Sequence, residues 1–240
     1  MKGLTVMIHN STNYLLTAQF SQAPNENNVD DDIVGIVRFN GQTIDYNNSN
    51  TLFLERKAAC AQNNHQTRKP INYSLNDPLT QFTNDRIVLL LESPSNAEYR
   101  SSRPCPAYGK TGDRINTQFI PLINRHLKIC FPVLPIDGQA FDLVLLNSIR
   151  YQCDLGYAGN RTIINSVFSQ LWNQTSHPFS DDLLERIKII SPVLVINACT
   201  QSNSGNKLCT SSFLKNNLTG TRVVEATNHP SRWNKNTILF

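Results

Sequence analysis

The stretch Arg86-Ile87-Val88-Leu89-Leu90-Leu91 runs directly into Glu92-Ser93-Pro94-Ser95. After Arg86 the run is wholly apolar, too short for an ordinary helix, and bounded by polar turns. That is the pattern of a strand buried on both faces of a parallel sheet. Three further runs of strand length lie downstream, at 141–146, 192–198 and 222–226. Between the first two, Ile115, Phe119, Leu122, Ile123 and Leu127 recur at the helical period and predict a helix over 115–130, kinked at Pro121. Two helices are predicted between the second and third. One covers 161–173 on the stripe Ile164, Val167, Phe168, Leu171 and Trp172; the other covers 181–189, with Ser180 as N-cap and Asp181 and Asp182 at its positive end. A short helix over 211–217 precedes the last strand. The order β-α-β-α-α-β-α-β predicts an α/β fold of three layers, α/β/α, with helices on both faces of a central, mainly parallel four-stranded sheet.

Upstream of Asp85 the texture is different. Polar clusters at 25–28, 30–32, 47–50 and 63–64 interrupt short apolar pieces; 5–8 and 33–39 read as strands, and 52–61 as a short helix or strand. The expected organisation is an irregular N-terminal extension, 1–84, packed on an α/β domain, 85–240. With 240 residues, 40% hydrophobic and 17% charged, the chain has the apolar content for a core and not the composition of a disordered protein. No run approaches the roughly 18–20 apolar residues of a membrane span. The apolar stretch 4–8 is too short for a secretory signal, so a cytoplasmic location is expected. Six cysteines include no C-x-x-C pair and no histidine at ligand spacing, so free thiols are expected, with no metal or metal cluster. A net charge of +4 and a pI near 8.8 permit nucleic-acid contact without demanding it.

In open α/β sheets, ligands bind beyond the C-terminal ends of the strands. Glu92 stands after the first strand, Asn147 ends the second, and His229 follows the fourth. Taken singly, each has a plain structural reading: a surface or capping acid, a turn residue, a core histidine. Taken together, a carboxylate, a carboxamide and an imidazole suit a small planar polar ligand, with the amide reading donor and acceptor edges and the histidine stabilising negative charge.

From 85 to about 234 the sequence resembles the uracil-DNA glycosylase superfamily. Glu92-Ser93-Pro94-Ser95 is similar to its first motif, Leu145-Leu146-Asn147 to its second conserved strand, and His229-Pro230-Ser231 to its His-Pro-Ser motif. The best-known branch has Asp where Ser93 stands, and others have Asn. The branch with Gly-Glu-Ala-Pro-Gly, which uses the acid corresponding to Glu92, is the closer model. That branch commonly binds an iron–sulfur cluster through cysteines that include a close pair, which this chain lacks. Pro106-Ala107-Tyr108-Gly109-Lys110-Thr111-Gly112 resembles the same branch's Pro-Phe-Val-Gly-Arg-Ala-Gly segment. Ala107 stands where the family has a stacking Phe, and Tyr108 is the substitute stacker.

The resemblance implies a DNA glycosylase that hydrolyses the N-glycosidic bond of uracil or another deaminated base flipped out of DNA. A basic, wet DNA groove usually serves a monomer, so a monomer is expected, and no cofactor is expected. The resemblance also implies Glu92 and His229 as the catalytic pair and a base pocket formed by Asn147, Ser93 and Tyr108. Phosphate contacts come from Ser95, Lys110, Ser231 and Arg232, with Trp233 as the wedge that fills the vacated stack. Glu98 is expected only to favour the positive end of a following helix. Ser93 and the long N-terminal segment leave room for the alternative, a glycosylase-fold protein that binds nucleic acid or a nucleotide without cleaving it.

Overall fold

The computed structural model describes residues 4–9, 13–18, 29–46, 68–99, 104–151, 153, 161–173, 179–199 and 206–240. The expected element at 52–61 lies outside them. Strands β1 (Leu4–His9) and β2 (Asn13–Ala18) form an antiparallel two-stranded sheet, where the sequence suggested a single strand. The main sheet begins with β3 (Asp32–Phe39), β4 (Ile44–Tyr46) and β5 (Lys69–Pro70). It continues through β6 (Asp85–Leu91), helices α1 (Lys110–Arg125) and α2 (Leu127–Cys130), β7 (Ala140–Asn147), α3 (Arg161–Trp172) and α4 (Phe179–Ile190). It closes with β8 (Leu194–Asn197), α5 (Asn206–Asn217) and β9 (Arg222–Glu225).

The sheet is mixed and seven-stranded, in the order β4-β3-β7-β6-β8-β9 with β5 also beside β3. Strand β6 pairs in parallel with β7 and β8, and β8 in parallel with β9. Strand β3 runs antiparallel to β7. The expectation of four strands and an irregular extension is therefore corrected: 32–46 and 69–70 extend the sheet. The physical reason is the open edge of β7, whose unpaired main-chain groups are satisfied by β3, while Val34, Val37, Phe39 and Ile44 bury their side chains. The polar cluster 30–32 leads into β3 at Asp32, and Asp31 and Asp32 are buried, because each carboxylate meets a guanidinium, Arg186 at 2.8 Å and Arg68 at 3.0 Å.

Alternate residues of each central strand face opposite layers. Ile87, Leu89, Leu143, Leu145 and Ile196 pack with Ile115, Phe119, Leu122 and Ile123 of α1. Val88, Leu90, Val144, Leu146 and Val195 pack with Phe168 and Leu171 of α3, Leu183 and Ile187 of α4, and Leu214 of α5. The three-layer arrangement follows from these two apolar faces.

Helix bounds differ from the sequence reading in four places. Helix α1 starts at Lys110, five residues early, and runs through Pro121; the break comes at His126, whose amide is shared between the Leu122 and Ile123 carbonyls. Helix α4 starts at Phe179, so Ser180 lies inside it and donates to the Trp172 carbonyl at 3.3 Å instead of capping. Helix α5 begins at Asn206 rather than 211, and the turn Asn96–Tyr99 after the first motif is 3-10 rather than α. The C-terminal segment folds back antiparallel, Glu225 and Phe240 exchanging both main-chain hydrogen bonds.

Candidate functional site

The order β7-β6-β8-β9 reverses direction between β6 and β8, and in such sheets the crevice at the reversal is where ligands sit. Register brings Leu91 opposite Asn147, so Glu92 follows at the strand end next to Asn147. Ser148 locks the two ends together. Its amide and its hydroxyl both donate to the Leu91 carbonyl, at 2.8 and 2.6 Å, and the Ile149 amide donates to the Glu92 carbonyl at 3.1 Å. Glu92 is buried.

Asn147 shares the α1 face with Leu143 and Leu145 by strand alternation. Its side chain is fully buried, and neither Oδ1 nor Nδ2 has a hydrogen-bond partner among the described residues. A desolvated carboxamide with no partner costs about 1–3 kcal/mol per group, so evolution rarely leaves one without a use. The arrangement presents one acceptor and one donor pair, ready for a ligand edge carrying the complementary pattern.

Two loops are drawn together by Glu98. This buried carboxylate accepts the Ser95 amide at 2.5 Å and the Ala107 amide on its other oxygen. Ser95-Asn96-Ala97-Glu98 is a capping-box pattern, in which an acid three residues on reaches back to the amide of the first. That signal was available in the sequence; the reach to Ala107 was not. Ala107 adopts φ 57° and Gly109 φ 86°, and between them Tyr108 is buried at 8% exposure. From the other side Arg68 donates to the Pro106 carbonyl at 2.6 Å and to Cys105 Sγ at 3.2 Å. Lys110, at the start of α1, is exposed; Ser93 is half-buried and Ser95 exposed.

His229 precedes the 3-10 turn Pro230–Arg232, which packs on α1. Its Nδ1 accepts the Ser231 amide at 3.3 Å and lies 3.0 Å from the Ser231 hydroxyl. Because a main-chain amide only donates, Nδ1 is the acceptor and the proton of the neutral ring is assigned to Nε2. Ser231 is half-buried and Arg232 exposed. Trp233 is corrected: at 1% exposure, with Nε1 donating to the Asn228 carbonyl at 2.8 Å, it belongs to the same core as Phe119 and Leu122 and is no exposed wedge.

A second polar centre, missed in the sequence, lies behind β7. Arg186 donates from Nη1 to Asp31 at 2.8 Å, from Nε to Asp182 at 2.9 Å, and from Nη2 to the carbonyls of Asn147 at 3.1 Å and Ser148 at 3.3 Å. Arg150 bridges to Asp182 at 3.1 Å, and Tyr73 donates to Asp31 at 2.7 Å. Burial pushes the Asp31 carboxyl above its ordinary range against the pull of Arg186 and Arg150. The same two guanidiniums overcome desolvation at Asp182 and hold it below that range. Tyr73, Arg150, Asp182 and Arg186 wall a cleft of about 540 Å³ that also includes Asp30, Asn72 and Glu185, while Asp31, Glu92, Asn147 and His229 do not line it. The available signal was an arginine on the buried stripe of α4, between Leu183 and Ile190.

The chain is an α/β protein with a mixed seven-stranded sheet, and polar residues stand at the C-terminal ends of its parallel strands. Among the described residues no helix is long and apolar enough to cross a membrane. Comparison with family models, with curated proteins and with solved structures gives no match to this chain.

Proposed function

We propose that the chain is a DNA glycosylase that cleaves the N-glycosidic bond of uracil or another deaminated base extruded from DNA, as its resemblance to the uracil-DNA glycosylase superfamily implies. The observation that carries this reading is the buried Asn147 carboxamide at the end of β7, whose oxygen and nitrogen both lack partners among the described residues. A base edge supplies the missing donor and acceptor.

In this reading the Glu92 side chain favours the positive charge that develops on the sugar and orients the attacking water. The water oxygen bonds to C1′ as the C1′–N bond breaks, the bonding pair leaves with the base, and the proton that the water sheds neutralises the departing base. His229, with its proton on Nε2, donates to the carbonyl oxygen where that negative charge gathers. Ser93 and Tyr108 complete the base pocket, and Ser95, Lys110, Ser231 and Arg232 contact phosphates, in keeping with a chain of net charge +4. The protein works as a cytoplasmic monomer.

The second reading, binding without cleavage, is favoured by the placement of Trp233 inside the core, which leaves that residue unable to hold a vacated stack open. One experiment separates the two: single-turnover incubation with labelled oligonucleotides carrying one uracil, hypoxanthine or xanthine, followed by alkali. Strand breaks lost in both His229→Ala and Glu92→Gln are the expected result. Retained oligonucleotide binding with no breaks on any substrate establishes the binding reading instead.

A further inference from the structure

The Asn147 side chain lies on the α1 face, but the main chain that carries it is gripped from the α4 face. Arg186 is 3% exposed, and its guanidinium is held on two edges, by Asp31 at 2.8 Å and Asp182 at 2.9 Å. The guanidinium is planar and rigid, so fixing Nη1 and Nε fixes Nη2 as well. Nη2 reaches the carbonyls of Asn147 and Ser148. From Ser148 and Ile149 the constraint passes to β6 through the Leu91 and Glu92 carbonyls. One side chain thus sets the main-chain positions of both strand ends that present Asn147 and Glu92.

We propose that Arg186 is the positioning residue of the strand-end site: it aims the Asn147 carboxamide and fixes its spacing from Glu92, through main-chain carbonyls and without touching the ligand. The proposal rests on reading Asn147 as the base-recognising group. A buried ion cluster is a poor choice for stability alone, because apolar residues of equal volume usually serve as well. The cluster here converges on two carbonyls at a strand end, where a small displacement matters to chemistry. A misplacement of about 1 Å in a catalytic constellation can cost roughly 100-fold in rate. Lysine at this position keeps the charge but loses the fork, since an ammonium cannot hold two carboxylates and two carbonyls in one plane.

The test uses the full chain and its Arg186→Lys, Arg186→Met and Asp182→Asn variants. Thermal unfolding shows which of them fold. The side-chain amide resonances of Asn147, assigned by their loss in Asn147→Asp, report its setting without any ligand. Single-turnover excision and oligonucleotide affinity report the consequence. In folded Arg186→Lys the Asn147 amide resonances shift and broaden, and excision slows by up to about 100-fold while affinity changes little. If Arg186→Lys does not fold, Asp182→Asn, which frees one edge of the guanidinium, gives the same readout more weakly. Unmoved Asn147 resonances in a folded variant, or affinity and rate falling together in step with stability, overturn the proposal. If the wild-type chain excises no base, the glycosylase reading falls, and the resonances alone still decide whether Arg186 sets Asn147.

Discussion

The Glu98 carboxylate accepts the main-chain amide of Ala107, nine residues on, and Ala107 is held at φ 57°. An alanine in that left-handed region costs about 1–2 kcal/mol, which the buried acceptor offsets. Ala107→Gly therefore leaves stability unchanged or raises it by up to about 1 kcal/mol, whereas Ala107→Val, β-branched and 1% exposed at this site, loses about 1–3 kcal/mol. Glu98→Gln replaces one acceptor by a donor facing an amide and costs about 1–3 kcal/mol. Urea unfolding midpoints of the three variants check the set; a neutral Glu98→Gln contradicts the clamp.

Asn147 gives a trade between stability and function. Leucine has a similar volume and no polar atoms, so Asn147→Leu removes two buried groups that have no partner among the described residues and stabilises the free protein by about 1–3 kcal/mol. The same variant loses recognition of the base. Thermal unfolding paired with oligonucleotide binding measures both. A destabilised Asn147→Leu would mean that the carboxamide is held by a bound water.

Trp233 is assigned to the core, and the assignment is simple to test. Trp233→Ala costs about 3–5 kcal/mol of stability, as expected for a buried aromatic. A surface wedge would show almost no stability loss.

The acid limb of stability has a sign set by the cluster around Arg186. Asp182, held below its ordinary value of 3.8, contributes stability that is present above that value and lost as pH falls through its folded value. Asp31, raised by burial, has the opposite sign: its contribution is complete below 3.8 and is lost as pH rises through its folded value. Asp182→Asn therefore flattens the fall in stability on the acid side, and Asp31→Asn removes an opposing fall above it. Urea unfolding from about pH 3 to pH 6 reads both slopes, which reflect coupled titrations.

The parallel core was legible because its strands are buried on both faces and so appear as unbroken apolar runs: 86–91 and 141–146 match β6 and β7 to within a residue or two. Helix α3 was legible for the same kind of reason, its stripe from Ile164 to Trp172 keeping the helical period. Strand β3 was seen, but its place beside β7 was not, since antiparallel pairing between segments about 100 residues apart leaves no local trace. Asp31 and Asp32 read as a turn because nothing in their neighbourhood names Arg186 or Arg68 as partners. Trp233 read as a wedge because exposure is a tertiary property.

By itself the sequence determined the α/β class, the order of the parallel strands and helices along the chain, and the residues standing at the strand ends, Glu92, Asn147 and His229. All of these follow from local periodicity and turn chemistry, which act over a few residues. The tertiary structure decided the order of strands within the sheet, the addition of three antiparallel strands, the burial of Trp233, and the grip of Arg186 on Asn147. Those depend on which distant groups satisfy one another's charge and hydrogen-bonding needs once water is excluded, and a buried guanidinium finds its carboxylates only when the chain has closed around it.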